Sequence, residues 1–351
     1  MLVGGGGSAV PLPFRGMQVV RVPSRRRPIN PRPLVAVLAA AVLTGCTGAA
    51  ATAVDEPVER PVGRYASANP GSVNTLWMEG PQGLVVVDAQ RSMTDGRRAV
   101  AEVRRTGRPV AAILITHAHP DHVGGIGVFS EAFPEVPVYA SGATATTIAT
   151  DGQGFYELTR GLPGADYAAE MTVPDRLIAP GEVLEVGGLR VETAEFGPGE
   201  SESATAFYEP ASGALFAGDL VAAEMTPALL EGHSCGWLTD LDRLEARFPD
   251  ARTIHPGHGD PGPADELVAA QRDYLREFRE LVRTATAAGS PGGAAVDEAE
   301  RSSIIAGTER SYPGFPSVAS LPTLMDENVR AVAAEIAAED LATLPPSCRG
   351  S

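Results

Sequence analysis

The sequence predicts an α/β fold, and three features carry the prediction. An apolar, partly β-branched run from Val110 to Ile115 reads as a fully buried strand, followed by a turn and a helix opening after Gly124-Gly125. Amphipathic segments alternate with short apolar runs through the first half of the chain. From Val183 to Ala217 the pattern becomes β-like, with turns at Gly187-Gly188 and Ala211-Ser212-Gly213. The end of the Val110–Ile115 strand also holds the densest chemistry in the chain, His117-Ala118-His119-Pro120-Asp121-His122. Of the six histidines in the sequence, three fall in this hexapeptide, which argues against scattered core or surface residues. His117 and His119, two apart in extended backbone, can face one metal ion. Asp121 and His122 follow where the chain turns, so they can address a second position. Imidazole and carboxylate are borderline-to-hard ligands suited to Zn, Mn or Fe, and strand C-terminal ends are where open α/β sheets place their sites.

Taken in order, the first 45 residues read as a leader. Arg21, Arg25, Arg26, Arg27 and Arg32 precede the apolar run Leu34 to Leu43, which is short for a membrane span and suits a signal peptide. The run ends in Leu43-Thr44-Gly45-Cys46, which resembles a bacterial lipobox and implies cleavage before Cys46 and lipidation of its thiol. The chain is then expected to be an exported lipoprotein on the outward face of the cell membrane, starting from either Met1 or Met17. Removing the leader takes away six Arg and no acid, so the formal charge moves from −16 to −22. Such acidity argues against nucleic acid as a partner and leaves a small-molecule substrate as the expectation. Residues 46–70, rich in Ala, Pro and Gly, read as a flexible tether.

Residues 71–290 read as the catalytic domain. Val73 to Met78 and Leu84 to Val87 read as adjacent strands closed by Asp88, and Ser92 to Arg105 as an amphipathic helix. Val136 to Ala140 is a short strand, Ala143 to Leu158 a helix, and Gly161 to Pro180 a loop over the site face. Strands follow at Val183 to Val186, Leu189 to Phe196, Ala204 to Tyr208 and Ala214 to Ala217. Then come a helix from Trp237 to Phe248, a strand from Arg252 to His255 and a long helix from Ala264 to Ala287. Residues 291–351 form a C-terminal extension with one helix, Met325 to Ala338, packed on the domain. Cys235 and Cys348 remain after Cys46; a disulfide between them would clamp the extension, with a free buried thiol and a loose tail as the competing readings.

His-Ala-His-Pro-Asp-His after a hydrophobic strand resembles the signature of the metallo-β-lactamase fold superfamily, over about residues 74 to 259. The resemblance implies a four-layer αββα sandwich with a two-metal site at one edge of the sheets, holding two Zn ions, with Mn or Fe as alternatives. It also implies ligands from later loops. Asp219, after Ala214 to Ala217, takes the position of a carboxylate bridging the two metals. His258 in His255-Pro256-Gly257-His258 matches the last histidine ligand, with His255 as the alternative. Relatives usually carry Pro-Gly-His where this chain has Pro198-Gly199-Glu200, so Glu200 stands in the histidine's place, with Glu202 as the other candidate. Alkylsulfatases of this fold also use Glu in this region. One metal would then be held by His117, His119 and Glu200, the other by Asp121, His122 and His258, with Asp219 shared. Asp88 would support the metal-binding loop from behind, or simply open a turn.

The implied activity is hydrolysis of an ester, thioester or lactone by hydroxide generated between the metals, with Asp121 and Asp219 orienting it. Asp219 makes a β-lactam the less expected substrate, since β-lactamases of this fold commonly put Cys or Ser there. Export disfavours a cytosolic glutathione thioester. A non-haem iron oxygenase or redox protein on the same fold, and a non-catalytic cell-surface binding protein, are the alternatives. Trp77, Phe155, Tyr156, Met225, His233 and Trp237 are candidates for the pocket rim.

Overall fold

The computed structural model describes residues 60–349, apart from 70, 163–165, 290–295, 319–320 and 341. The expected leader, Cys46 and the tether up to residue 59 lie outside the described residues. Strands β1 (Val62–Ala66), β2 (Asn74–Gly80), β3 (Gly83–Val87), β4 (Val110–Leu114), β5 (Val138–Ser141) and β6 (Arg176–Ile178) pair in that order in one sheet. The second sheet runs from β7 (Val183–Val186) through β8 (Leu189–Phe196), β9 (Ala204–Glu209), β10 (Ala214–Gly218) and β11 (Thr253–Pro256) to β12 (Gly262–Pro263). Helices α1 (Met93–Arg105), α2 (Pro120–Val123), α3 (Ile126–Ala132), α4 (Gly142–Thr150) and α5 (Phe155–Arg160) belong to the first half. Helices α6 (Ser234–Arg247), α7 (Ala264–Gly289), α8 (Glu298–Ser311) and α9 (Leu324–Ala338) belong to the second.

Strand alternation builds the layers. In β3 every residue is buried: Leu84 and Val86 join Ala99, Val103, Ile126 and Phe129 under α1 and α3, whereas Val85 and Val87 face the other sheet. Across that interface stand Leu184, Val186, Val191, Phe207 and Phe216. The outer face of the second sheet, with Ala206, Leu215 and Ile254, is covered by Trp237, Leu241, Phe278, Val329 and Val332 of α6, α7 and α9. Sheets apolar on both faces need cover on both, and the result is the four-layer αββα sandwich.

The two sheets meet at one edge, where backbone bonds tie the ends of their strands. Thr205 N donates to Thr116 O at 2.7 Å, Gly257 N to Gly218 O at 2.9 Å and Asn74 N to Gly257 O at 2.7 Å. Asn74 Nδ2 also donates to Pro256 O and Gly259 O. The loops after β4, β10 and β11 are thereby fixed side by side.

Four expectations change. The tether does not extend to residue 70, because Val62–Ala66 pairs antiparallel with β2; the edge strand hides its pattern by alternating half-buried with exposed residues. The helix expected from Ala143 to Leu158 is two, broken at Asp151 and Gly154, both with positive φ. The loop expected from Gly161 to Pro180 contains β6, a three-residue edge strand. The C-terminal extension carries two helices rather than one; in the extra helix, α8, only Ile304, Gly307 and Thr308 are buried, too few for a readable stripe. Its start is marked by a capping box between Asp297 and Glu300.

The extension is stitched to the domain. Glu335 of α9 accepts from Ser234 N and Cys235 N at the start of α6, and buried Arg279 of α7 meets Glu335 and Glu339. Asn328 accepts from Leu229 N and donates to Pro227 O. Cys235 and Cys348 are joined by a disulfide, with Cα atoms 5.3 Å apart across 113 residues of sequence. In the chain-entropy model a loop of that length contributes up to ~4–5 kcal/mol. Reducing the protein, or replacing Cys348 with Ser, is therefore expected to lower the urea midpoint. An unchanged midpoint in both would show that the bond adds nothing to the contacts of Glu335 and Asn328.

Candidate metal centre

The hexapeptide leaves β4 in extended backbone and then turns into α2, with Pro120 at its first position. His117, His122 and His258 are fully buried, and Asp121, Glu200 and Asp219 nearly so. Their ligand atoms form two groups, His117, His119, Glu200 and Asp219 in one and Asp121, His122 and His258 in the other, each within 4.8 Å. Glu200 Oε1 lies 3.1 Å from His119 Nδ1, and Glu200 Oε2 3.6 Å from His117 Nε2. Asp219 belongs to the first group and also reaches the second, with Oδ1 3.2 Å from His122 Nε2 and Oδ2 3.3 Å from His258 Nε2. Asp121 Oδ2 stands 3.2 Å from His258 Nε2 and 3.3 Å from Arg91.

Groups behind the imidazoles decide which nitrogen is bare. Asp88 Oδ2 accepts from His122 Nδ1 at 2.7 Å and from Thr116 Oγ1 at 2.8 Å. The single hydroxyl proton of Thr116 is spent on Asp88, so at 3.0 Å His117 Nδ1 must donate to Thr116 Oγ1. Glu231 Oε1 accepts from His119 Nε2 at 2.9 Å. The lone pairs left are His117 Nε2, His119 Nδ1 and His122 Nε2, and all three face the carboxylates of Glu200 and Asp219. Asp88 achieves its reach from a left-handed backbone, φ 59°, a conformation that Asp tolerates better than most residues. It is the supporting residue and not merely a turn.

Buried atoms without a hydrogen-bond partner cluster here: His117 Nε2, His122 Nε2, both His258 ring nitrogens, Glu200 Oε2 and Asp219 Oδ1. Unpaired buried polar atoms are costly, and ones that converge call for a cation. Glycine leaves the room: a Cβ at Gly257 would lie 1.9 Å from Asp219 Oδ1. Gly199 likewise lets the Glu200 loop lie on α6, where a Cβ would meet Asp240 Oδ2 at 2.7 Å. The donor set, imidazole plus carboxylate, fits a divalent metal.

Burial opposes charge on His119 and His122, but Glu200 and Glu231 raise the first and Asp219 and Asp88 the second, so protons compete with a metal ion for these lone pairs. Burial, then the neighbouring His122 and His119, hold His117 well below its ordinary value and therefore neutral. Burial opposes charge on His258, but Asp219 and Asp121 outweigh it and push the ring up to about 9. Burial likewise opposes ionisation of Asp219, yet His258 and His122 hold it well below the usual carboxylate range. Asp121 is kept ionised against burial by Arg91, His258 and His122.

All seven sequence-predicted ligands, His117, His119, Asp121, His122, Glu200, Asp219 and His258, thus share one site. Glu202 is exposed and faces His233 at 3.3 Å, so Glu200 alone of the two enters it. His255 is stacked on Phe216, ring centroids 5.0 Å apart. Of the rim candidates, Phe155 lines the cavity. Trp237 is core, its Nε1 donating to Leu220 O; Tyr156 is buried and bonded to Ala168 O; Trp77 packs over Gly63; Met225 and His233 do not line the cavity. Glu231 was not anticipated, and its only sequence signal is its position two residues before His233 in the loop after β10.

The superfamily model described as "Metallo-beta-lactamase superfamily" matches residues 68–258. A linear primary-alkylsulfatase of Pseudomonas sp. is 25% identical over 244 residues, 58% of this chain and 44% of that one. A hydroxyacylglutathione hydrolase of Synechococcus sp. is 31% identical over 153 residues, 43% of this chain and 50% of that one. The chain spans about half the length of these two relatives. Among solved structures, a metallo-beta-lactamase family protein from Thermus thermophilus superposes with a TM-score of 0.55 at 20% identity, over 79% of this chain and 91% of that one.

Two outcomes are expected from this geometry. Glu231→Ala should lower metal affinity at the Glu200 side about 10–100-fold, measured by competition with a chromophoric chelator, while Glu231→Gln, which still offers an oxygen, should fall less. Burial and Arg64 hold His255 down at about 4, below an unfolded value near 6.5. Its stabilising contribution is present above pH ~6.5 and is lost as pH falls towards ~4, to a total of order 3 kcal/mol. Unfolding free energies of the chelated protein should therefore fall more steeply over this window than those of His255→Gln.

Proposed function

Because the chain belongs to the metallo-beta-lactamase superfamily, we propose that it is a metal-dependent hydrolase that cleaves an ester, thioester or lactone at a dinuclear zinc site. The observation that carries this reading is the pairing of two ligand groups with Asp219 within reach of both. His117, His119 and Glu200 would hold one ion, Asp121, His122 and His258 the other, and Asp219 both. Ions bound there would lower the pKa of water and polarise the carbonyl oxygen.

The chain's own groups do the rest. Asp121 and Asp219, both held ionised, accept hydrogen bonds from the attacking water and so aim its lone pair at the carbonyl carbon. Water adds oxygen to that carbon and the bond to the leaving alcohol or thiol breaks. Of the water's two protons one goes to the leaving group and the other to the acid product, which releases it to solvent. Tyr167 lines the same cavity with its hydroxyl buried and unpartnered; burial pushes its phenol up, so it keeps its proton and can donate to the developing oxyanion. Replacing His with Glu200 adds negative charge beside the ions, which favours harder metals such as Mn or Fe as alternatives.

A sulfuric ester is the second reading, supported by the alkylsulfatase relative and by the carboxylate at position 200. Export as a lipoprotein through Cys46 remains part of the proposal, and the Cys235–Cys348 disulfide suits an oxidising compartment.

Zn- or Mn-loaded protein should hydrolyse p-nitrophenyl esters, thioesters or lactones faster than nitrocefin. Asp219→Asn is expected to cut kcat by ~10²-fold or more, and Tyr167→Phe by ~10²-fold with little change in KM. No turnover of any ester, thioester, lactone or sulfate ester by fully loaded protein would refute the hydrolase reading.

A further inference from the structure

The cavity beside the metal centre has one polar end and two apolar walls. His119, Asp121, Glu200 and Asp219 form its floor. Phe155, Leu158 and Leu162 stand on one wall, and Leu230, Val318 and Leu321 on the other. Phe155 and Leu158 stand one turn apart on α5, and Leu162 follows just past its end. These side chains do not turn into the core: on α5 only Tyr156 is buried, while Leu158 is 59% exposed and Leu162, after the helix, 43%. Two large apolar side chains left open in the lining of one cavity mark a binding surface more than chance exposure.

Among the described residues Tyr167 has the one cavity hydroxyl left unpartnered, and that donor is the one proposed for the oxyanion; the other polar groups near these walls have tasks of their own. Glu231 holds His119, Arg91 donates to Asp121 and to Val318 O, and Thr159 Oγ1 donates to Phe155 O. A substrate body rich in charge or hydroxyls, such as a peptide thiol, would lose water here without gaining equivalent bonds. The enclosed space is about 90 Å³, so a longer occupant must continue outward across Leu158 and Leu162.

We infer that the non-reacting part of the substrate is an unbranched hydrocarbon chain, lying between α5 and the Leu230–Val318–Leu321 wall with its ester group at the metal centre. This rests on the hydrolase reading for the ester group but not for the chain. The chain's source, a carboxylic ester or a sulfuric ester, has the same chemistry at these walls.

The test runs p-nitrophenyl esters from acetate to decanoate, and primary alkyl sulfates of matching length, on the metal-loaded full chain. kcat/KM should rise about two- to fourfold per added methylene until the rim is covered, in whichever series is cleaved. The double variant Leu158→Ser/Leu162→Ser should flatten that slope, and Leu177→Ser, at an exposed leucine of β6 outside the cavity, should leave slope and rate unchanged. Calorimetric binding of decane sulfonate, which needs no turnover, should weaken at least tenfold in the double variant. Ester cleavage with no chain-length dependence, or equal sulfonate binding in wild type and double variant, would overturn the chain site while leaving the hydrolase standing. Sulfonate binding that depends on Leu158 and Leu162, in a protein that cleaves no ester, would overturn the hydrolase and leave the chain site standing.

Discussion

The structure depends on one costly arrangement: four imidazoles and three carboxylates share a buried pocket in which several of their ligand atoms have no hydrogen-bond partner. Burial raises the cost of every charge there, and the carboxylates of Glu200, Asp121 and Asp219 can coexist only with positive charge between them. The protons drawn onto His119 and His258 supply part of it. A divalent cation supplies it more completely and satisfies the unpaired atoms at once. The sandwich is the means of holding the arrangement, because the ends of β4, β10 and β11 are locked edge to edge by backbone bonds at the ligands and the residues next to them.

What the sequence disclosed follows from how local each feature is. His117 to His122 act within one turn of chain, so their spacing alone reveals a metal site. Asp219 and His258 sit just after apolar strands, and it is the family resemblance that implies ligands at those strand ends. Glu200 needed the Pro198-Gly199 context, and the structure gives the reason: Gly199 must lie against α6 to bring the carboxylate inward. Strand and helix cores were readable wherever burial followed a period of two or of one helical face.

Long-range partners left no such trace. Glu231 works through His119, 112 residues away, and its loop is held by Asn328 at the far end of the chain. Nothing around position 231 announces that contact. Aromatic residues, more often core than rim, could not be sorted from sequence for a related reason: Trp237 and Tyr156 are buried with their polar tips on backbone carbonyls, a fact that composition does not encode. Of the leucines that do line the cavity, Leu158 looks like an ordinary helix residue in the sequence and Leu162, Leu230 and Leu321 like loop residues. The C-terminal extension therefore does more than cover the domain, since it positions Glu231 and contributes Val318 and Leu321 to the wall of the site.

The most direct test is metal stoichiometry. Protein freshly purified with zinc and manganese supplied, desalted and analysed by mass spectrometry of its elements, should carry two ions per chain. Glu200→Ala should retain about one, held by Asp121, His122 and His258. One ion or fewer in the wild type, or two ions in Glu200→Ala, would contradict the account.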